Sequence, residues 1–245
     1  MKLKMAASAL ALALIVAGCG GESGDSNATA NTAAPLPQTP APNNGDWTEV
    51  VSRTPEGGFV MGNPNAPVKL VEYASMTCPH CRDFAAAANE RLRNHYVRSG
   101  QVSFEFRNFV LNPLDAAVSA VTRCQEPSAF FRLTEQLFEQ QPTWSAAVTP
   151  EKQAQISQLP ENQQLAGYIA AADLGAFFRA RGTPEARLNQ CLSNQQELQR
   201  MAEMATAATN EHRVPGTPGF LINGELVEPT TWAELEPLLR QRIGG

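Results

Sequence analysis

Val68-Lys69-Leu70-Val71-Glu72-Tyr73-Ala74 is an apolar, β-branched run with turn residues before it, which predicts a buried strand. From Cys81 the residues become good helix formers (Arg82, Asp83, Phe84, then four alanines to Ala88), and the spacing predicts a helix to about Val97. Val102 to Phe109 alternates apolar with polar and predicts a half-buried strand. Strand, helix, strand is a βαβ unit, so the two strands are expected parallel with a right-handed crossover. About a hundred residues of helical character follow, over 115–124, 128–140, 150–158, 163–174, 184–193 and 196–210, punctuated by Pro142, Pro150, Pro160 and Gly182. Strand character returns at Gly219-Phe220-Leu221-Ile222, and Asn223-Gly224 before Glu225-Leu226-Val227 is a type I′ hairpin signal. Thr231 and Glu234 have the spacing of a capping box for a last helix, expected to bury Trp232, Leu235, Leu238, Leu239 and Ile243. Pro237 is expected to kink that helix or to mark its first turn. The pattern is that of an α/β fold, with strand-rich ends and a helical middle.

The first residues have a different character. Met1 to Lys4 is basic, and the 13 residues Met5 to Ala17 are apolar, too short to span a bilayer and right for a signal peptide. Val16-Ala17-Gly18-Cys19 is similar to a bacterial lipobox. That resemblance implies cleavage before Cys19, lipidation of Cys19, and a signal peptide over 1–18. Gly20 after the cysteine implies no inner-membrane retention, hence an outer-membrane anchor with the body facing the periplasm. Residues 20–46, rich in Gly, Ser, Asn, Thr, Ala and Pro, cannot build a core and predict a disordered tether, spanning roughly 30 Å as a flexible coil. The body then runs over 47–245, long enough for one core and an inserted subdomain. The formal charge of −5 becomes −7 once Lys2 and Lys4 are removed. An acidic body with no basic run argues against nucleic acid. No later segment is apolar enough to cross a membrane.

Cys78-Pro79-His80-Cys81 is the candidate chemistry. The pair sits where a strand hands over to a helix N-terminus, whose free N–H groups and positive dipole end favour a thiolate. A helix brings residues three apart onto one face with Cβ atoms about 5–6 Å apart. A disulfide needs about 3.5–4.5 Å, so a small adjustment makes or breaks the bond. Such a short bridge contributes little stability, which argues against a structural disulfide. Among five cysteines, Cys19, Cys78 and Cys81 are assigned, which leaves Cys124 and Cys191 in helical sequence. In an oxidising compartment they are expected to form a structural bridge; two buried thiols or an auxiliary redox pair are the alternatives. His95 and His212 have no such context. One C-x-x-C and three scattered histidines predict no metal site and no cofactor.

Three stretches together resemble a DsbA-type member of the thioredoxin superfamily: Glu72 to Cys81, Phe104 to Asn108, and Val214-Pro215-Gly216-Thr217-Pro218-Gly219-Phe220. The similarity runs from about Ala66 to Arg242. It implies a thioredoxin fold, a central mixed β-sheet flanked by helices, with an inserted all-helical subdomain at about 113–212. It implies Cys78 as nucleophile and Cys81 as the resolving thiol. Pro79 and His80 then form the intervening dipeptide, with His80 stabilising the Cys78 thiolate. Glu72 would be a buried acid relaying a proton to Cys81, Pro218 a cis-proline facing the pair, and Thr217 a backbone site for an extended client peptide. The activity implied is thiol:disulfide oxidation of client proteins with reduced cysteines, with reoxidation by a DsbB-like quinone-linked membrane partner. A monomer is the default. Two departures stand out: Ala85 replaces the family's second acid, and Thr217, where DsbA has Val, is common in isomerases. An isomerase or reductase is therefore the alternative activity, and a metal- or client-binding lipoprotein the non-enzymatic one.

Overall fold

A computed structural model of the chain describes residues 36–244. The signal peptide, Cys19 and the tether up to residue 35 lie outside the described residues. Residues 36–46, expected to belong to the tether, pack against the body instead. Leu36 lies against the core, Thr39 N–H donates to Ser99 O at 2.8 Å, and Trp47 Nε1 donates to Thr39 O at 2.8 Å. One leucine and a tryptophan eight residues from Thr39 hold a stretch whose composition alone is that of a free coil.

Six strands form one mixed sheet in the order β1 (Val51–Arg53), β2 (Phe59–Gly62), β4 (Val102–Asn108), β3 (Val68–Ala74), β5 (Gly219–Ile222) and β6 (Glu225–Val227). β3 and β4 are parallel and every other pair is antiparallel. The crossover between β3 and β4 is α1 (Pro79–Arg91), continued by a wide turn over Leu92–Val97. β1 and β2 are announced by no sequence pattern; β2 pairs onto the outer edge of β4, and β1 pairs onto β2. This corrects the expected half-buried β4: all seven of its residues are buried. Its polar alternation survives only because Arg107 donates to Glu105 at 2.8 and 3.0 Å, and Thr54 Oγ1 adds a bond to the same carboxylate at 2.6 Å. A buried charge is tolerable when paired and hydrogen-bonded.

The middle of the chain forms α2 (Pro113–Arg123), α3 (Pro127–Glu139), α4 (Gln141–Ala146), α5 (Pro150–Ile156), α6 (Glu161–Ala171), α7 (Leu174–Arg179), α8 (Glu185–Leu192) and α9 (Gln195–Asn210). The short α4 and α7 are not evident from the sequence, since six residues give too little periodicity to see. This insertion docks on the sheet through aromatics: Phe59 and Phe130 stack with ring centres 3.8 Å apart, and Phe106 meets Phe130 edge-on at 5.5 Å. Buried Arg123 ties the layers together, donating to Glu197 at 2.7 Å, Asn108 Oδ1 at 2.9 Å and Gly57 O at 2.7 Å. Next to it Cys124 is bonded to Cys191, with Cα atoms 5.7 Å apart, joining the end of α2 to α8.

Asn223 and Gly224 both have positive φ, 52° and 86°, as a type I′ turn requires. In α10 (Trp232–Gly244), Trp232, Leu235 and Leu239 are buried, while Leu238 and Ile243 are only partly covered. Thr231 Oγ1 bonds the Glu234 side chain at 2.8 Å rather than a backbone N–H, so the expected capping box is replaced by a side-chain pair. Pro237 lies inside α10, not in its first turn. Among the described residues no helix is long and apolar enough to cross a membrane.

Candidate active site

β3 ends at Ala74, and four residues later Cys78 is the N-cap of α1. Pro79 occupies the first helical position, where its missing N–H costs nothing and its fixed φ suits a helix. The helix therefore begins two residues before Cys81, the start expected from composition. Its N-terminus points at the Cys78 sulfur: Cys81 N–H donates to Sγ at 3.4 Å. Cys78 and Cys81 are both free thiols and both buried, while Pro79 and His80 between them are exposed.

Opposite stands the turn before β5. The Thr217–Pro218 bond is cis, and the Cys78 thiol donates to Thr217 O at 3.3 Å. Any side chain at position 219 would strike Val214 and lie 3.0 Å from Gly216 O, so Gly219 lets this turn fold tightly against the pair. Thr217 meets the sulfur in two ways. Its carbonyl accepts from the thiol, and its hydroxyl favours the thiolate.

The two thiols are driven apart. The Cys78 pKa falls from 9.0 to about 5, first because it is hydrogen-bonded by the Cys81 thiol. Burial opposes the fall, and the Thr217 hydroxyl and the Cys81 and His80 N–H groups add to it. Cys81 moves strongly upward, chiefly by burial, then by donating to Cys78 and by the negative charges of Glu72 and Cys78. An N-cap sulfur facing backbone donors prefers charge, and one a turn deeper does not.

Glu72 is the third titrating group. It lies on β3 between Phe106 of β4 and Phe220 of β5. Its Oε1 has no hydrogen-bond partner among the described residues. Burial first, then the Cys78 charge, raises its pKa from 4.5 to about 8. It opens into a cavity of about 30 Å³ between α1 and α3 that also holds the Thr134 hydroxyl, likewise without a partner. Asn89, Arg93 and Glu135 line the same cavity and are partly exposed.

Two residues that sequence reasoning missed frame the loop from Ser75 to Cys78. Asp115, fully buried on α2, accepts from Met76 N–H at 3.0 Å, Leu111 N–H at 3.0 Å and Ser119 Oγ at 3.1 Å. Burial raises its pKa from 3.8 to about 6 against these donors. Gln141, the first residue of α4, donates to Met76 O at 2.8 Å and to Cys78 O at 2.9 Å. Neither lies near a motif in sequence, and only the fold brings them to the site. Among the described residues no three metal-ligating side chains cluster.

Comparison with known proteins agrees with this layout. Residues 54–241 match the family model described as Thioredoxin. A crystal structure of a protein-disulfide isomerase from Novosphingobium aromaticivorans superposes with a TM-score of 0.72 at 33% identity, covering 76% of this chain and 97% of that one. The crystal structure of Wolbachia pipientis alpha-DsbA1 has the same fold, with a TM-score of 0.59 at 19% identity over 81% of this chain and 96% of that one. A Rickettsia bellii protein, provisionally named a protein-disulfide oxidoreductase, is 25% identical over 181 residues, 74% of this chain. The match spans 62% of that relative's length. The chain belongs to the thioredoxin family, and its fold is of the DsbA type.

Proposed function

We propose that this chain is a thiol:disulfide oxidoreductase that donates a Cys78–Cys81 disulfide to client protein thiols. The observation that carries the reading is the asymmetry of two sulfurs three residues apart: Cys78 caps α1, takes the Cys81 N–H at 3.4 Å and ionises with a pKa of about 5, while Cys81 is buried one turn deeper and stays a thiol. A client thiolate attacks the Cys78 sulfur, a client–Cys78 disulfide forms, and the Cys78–Cys81 bond breaks with its electron pair on Cys81. Cys81 is a poor leaving group as a buried thiolate, and Glu72, protonated up to about pH 8, is the acid placed to neutralise it. A second client thiolate then attacks the client sulfur. Cys78 departs as the stabilised thiolate, the client has lost two electrons, and the pair has gained them.

Each pKa unit by which Cys78 lies below ambient pH favours the dithiol by about 1.4 kcal/mol, or about 30 mV for a two-electron couple. The low pKa of Cys78 thus supports donation of the disulfide. DsbA itself is the established instance of this effect, a strong oxidant because its reduced form is stabilised. The cis Thr217–Pro218 turn supports strand-wise docking of an extended client. We further place the protein at the cell envelope on a lipidated Cys19, periplasm-facing, with a quinone-linked membrane protein as its reoxidant.

Equilibration of the purified protein with glutathione tests the direction. A potential well above that of thioredoxin, about −270 mV, is expected, and a value as low as that overturns donation. The Novosphingobium likeness and Thr217 favour a second reading, isomerisation. Reactivation of a scrambled disulfide protein without added oxidant would favour it, whereas oxidation of a reduced peptide alone would favour donation.

A further inference from the structure

Met76, two residues before Cys78, has both polar groups of its backbone held by side chains of the helical insertion. Its N–H is taken by Asp115 Oδ1 at 3.0 Å, and its carbonyl by Gln141 Nε2 at 2.8 Å. The same Nε2 reaches the Cys78 carbonyl at 2.9 Å, so both amide hydrogens of Gln141 serve this loop. The Cys78 carbonyl also accepts the first bond of α1, from Arg82 N–H at 3.2 Å. Gln141 is buried, and α4 holds it in place: Trp144 Nε1 donates to Leu137 O at 2.8 Å, and Ser145 Oγ to Gln141 O at 2.6 Å.

The sulfur of an N-cap cysteine gains from the helix only while its own peptide stays in register with the first turn. Two carbonyls on that loop turn toward the insertion and are buried, so each needs a donor. Gln141 supplies the donor for Met76 O and a second donor, beside Arg82 N–H, for Cys78 O, and it places the positive end of a side-chain dipole on the peptide that carries the Cys78 sulfur. We propose that Gln141 is a positioning residue for Cys78, so that the helical insertion sets the acidity of the attacking thiol. Asp115 holds the other side of the same loop.

The inference rests on Cys78 being the attacking thiol and is independent of the net direction of exchange. Gln141→Met keeps length and approximate volume and removes both donors. The Cys78 thiolate titration is expected to move up by about one unit, and the equilibrium with glutathione about tenfold toward the disulfide, about 30 mV. Joint replacement of Cys124 and Cys191 by alanine, which loosens the insertion without touching α4 or the loop, is expected to lower thermal stability and leave that titration in place. A Gln141→Met protein that loses stability while keeping the wild-type titration and equilibrium overturns the proposal. In the wild-type protein, both Gln141 side-chain amide protons should exchange slowly with solvent and shift between the oxidised and reduced forms. Rapid exchange of those protons overturns it even if the variant does not fold. A thioredoxin-like wild-type potential would remove the donor assignment while leaving the Gln141 displacement to be seen.

Discussion

Replacing Glu72 by glutamine should stabilise the protein at neutral pH. The carboxyl is buried with one oxygen unpartnered, and burial first, then the Cys78 charge, raises its pKa from 4.5 to about 8. An unfolded chain ionises this group from about pH 4.5 upward, whereas the folded chain keeps it protonated to about pH 8. Folding therefore takes up a proton across that window. The group's contribution is most favourable below pH 4.5 and is lost as pH rises toward 8. At pH 7 the loss covers about 2.5 units, which at about 1.4 kcal/mol per unit costs the fold about 3–4 kcal/mol. Glutamine has the same shape and cannot ionise, so Glu72→Gln recovers this amount. At pH 4 both side chains are neutral, and the two proteins should agree to within about 1 kcal/mol. Urea unfolding of the reduced proteins at pH 4 and pH 7 measures both. The thiolate contribution exists only in the reduced form, so the gain at pH 7 should be smaller in the oxidised proteins. A gain of equal size at both pH values would refute the reasoning, since it could not come from ionisation.

The other predictions concern the insertion and its attachment. Replacing Cys124 and Cys191 together by alanine opens a loop with a sequence separation of 67. This should lower stability by up to about 4 kcal/mol, read as a fall of roughly 10 °C in Tm. The rate of Cys78 alkylation should not change. Phe130→Ala removes a fully buried ring stacked on Phe59 and should cost about 3–5 kcal/mol by denaturant unfolding.

The βαβ unit, the hairpin at Asn223-Gly224 and the place of Cys78 at a helix start are legible in the sequence, because composition and turn chemistry act locally there. β1 and β2 have only three and four residues, too few for a period to show, and they exist because β4 offers an edge to pair with. Glu105 and Arg107 read as solvent-facing because alternation reports polarity and not what covers a face, and here Thr54 and Tyr73 bond them from residues distant in sequence. Glu72 is visible through its offset from the cysteines, whereas Asp115 and Gln141 carry no local sign of their contacts. A buried aspartate is readable only with its donors, here Met76, Leu111 and Ser119. Pro79 marks the helix boundary, since proline at a first helical position makes the preceding cysteine the cap.

The charge preference of Cys78 is the claim on which the catalytic reading depends, and its alkylation rate against pH measures it. With Cys81 replaced by alanine the Cys81 thiol donor is lost, so the measurement belongs on the wild-type reduced protein, with mass mapping of the first cysteine labelled. Modification should be confined to Cys78, with a midpoint near pH 5. A midpoint near that of an ordinary thiol, about pH 8.5, would contradict it.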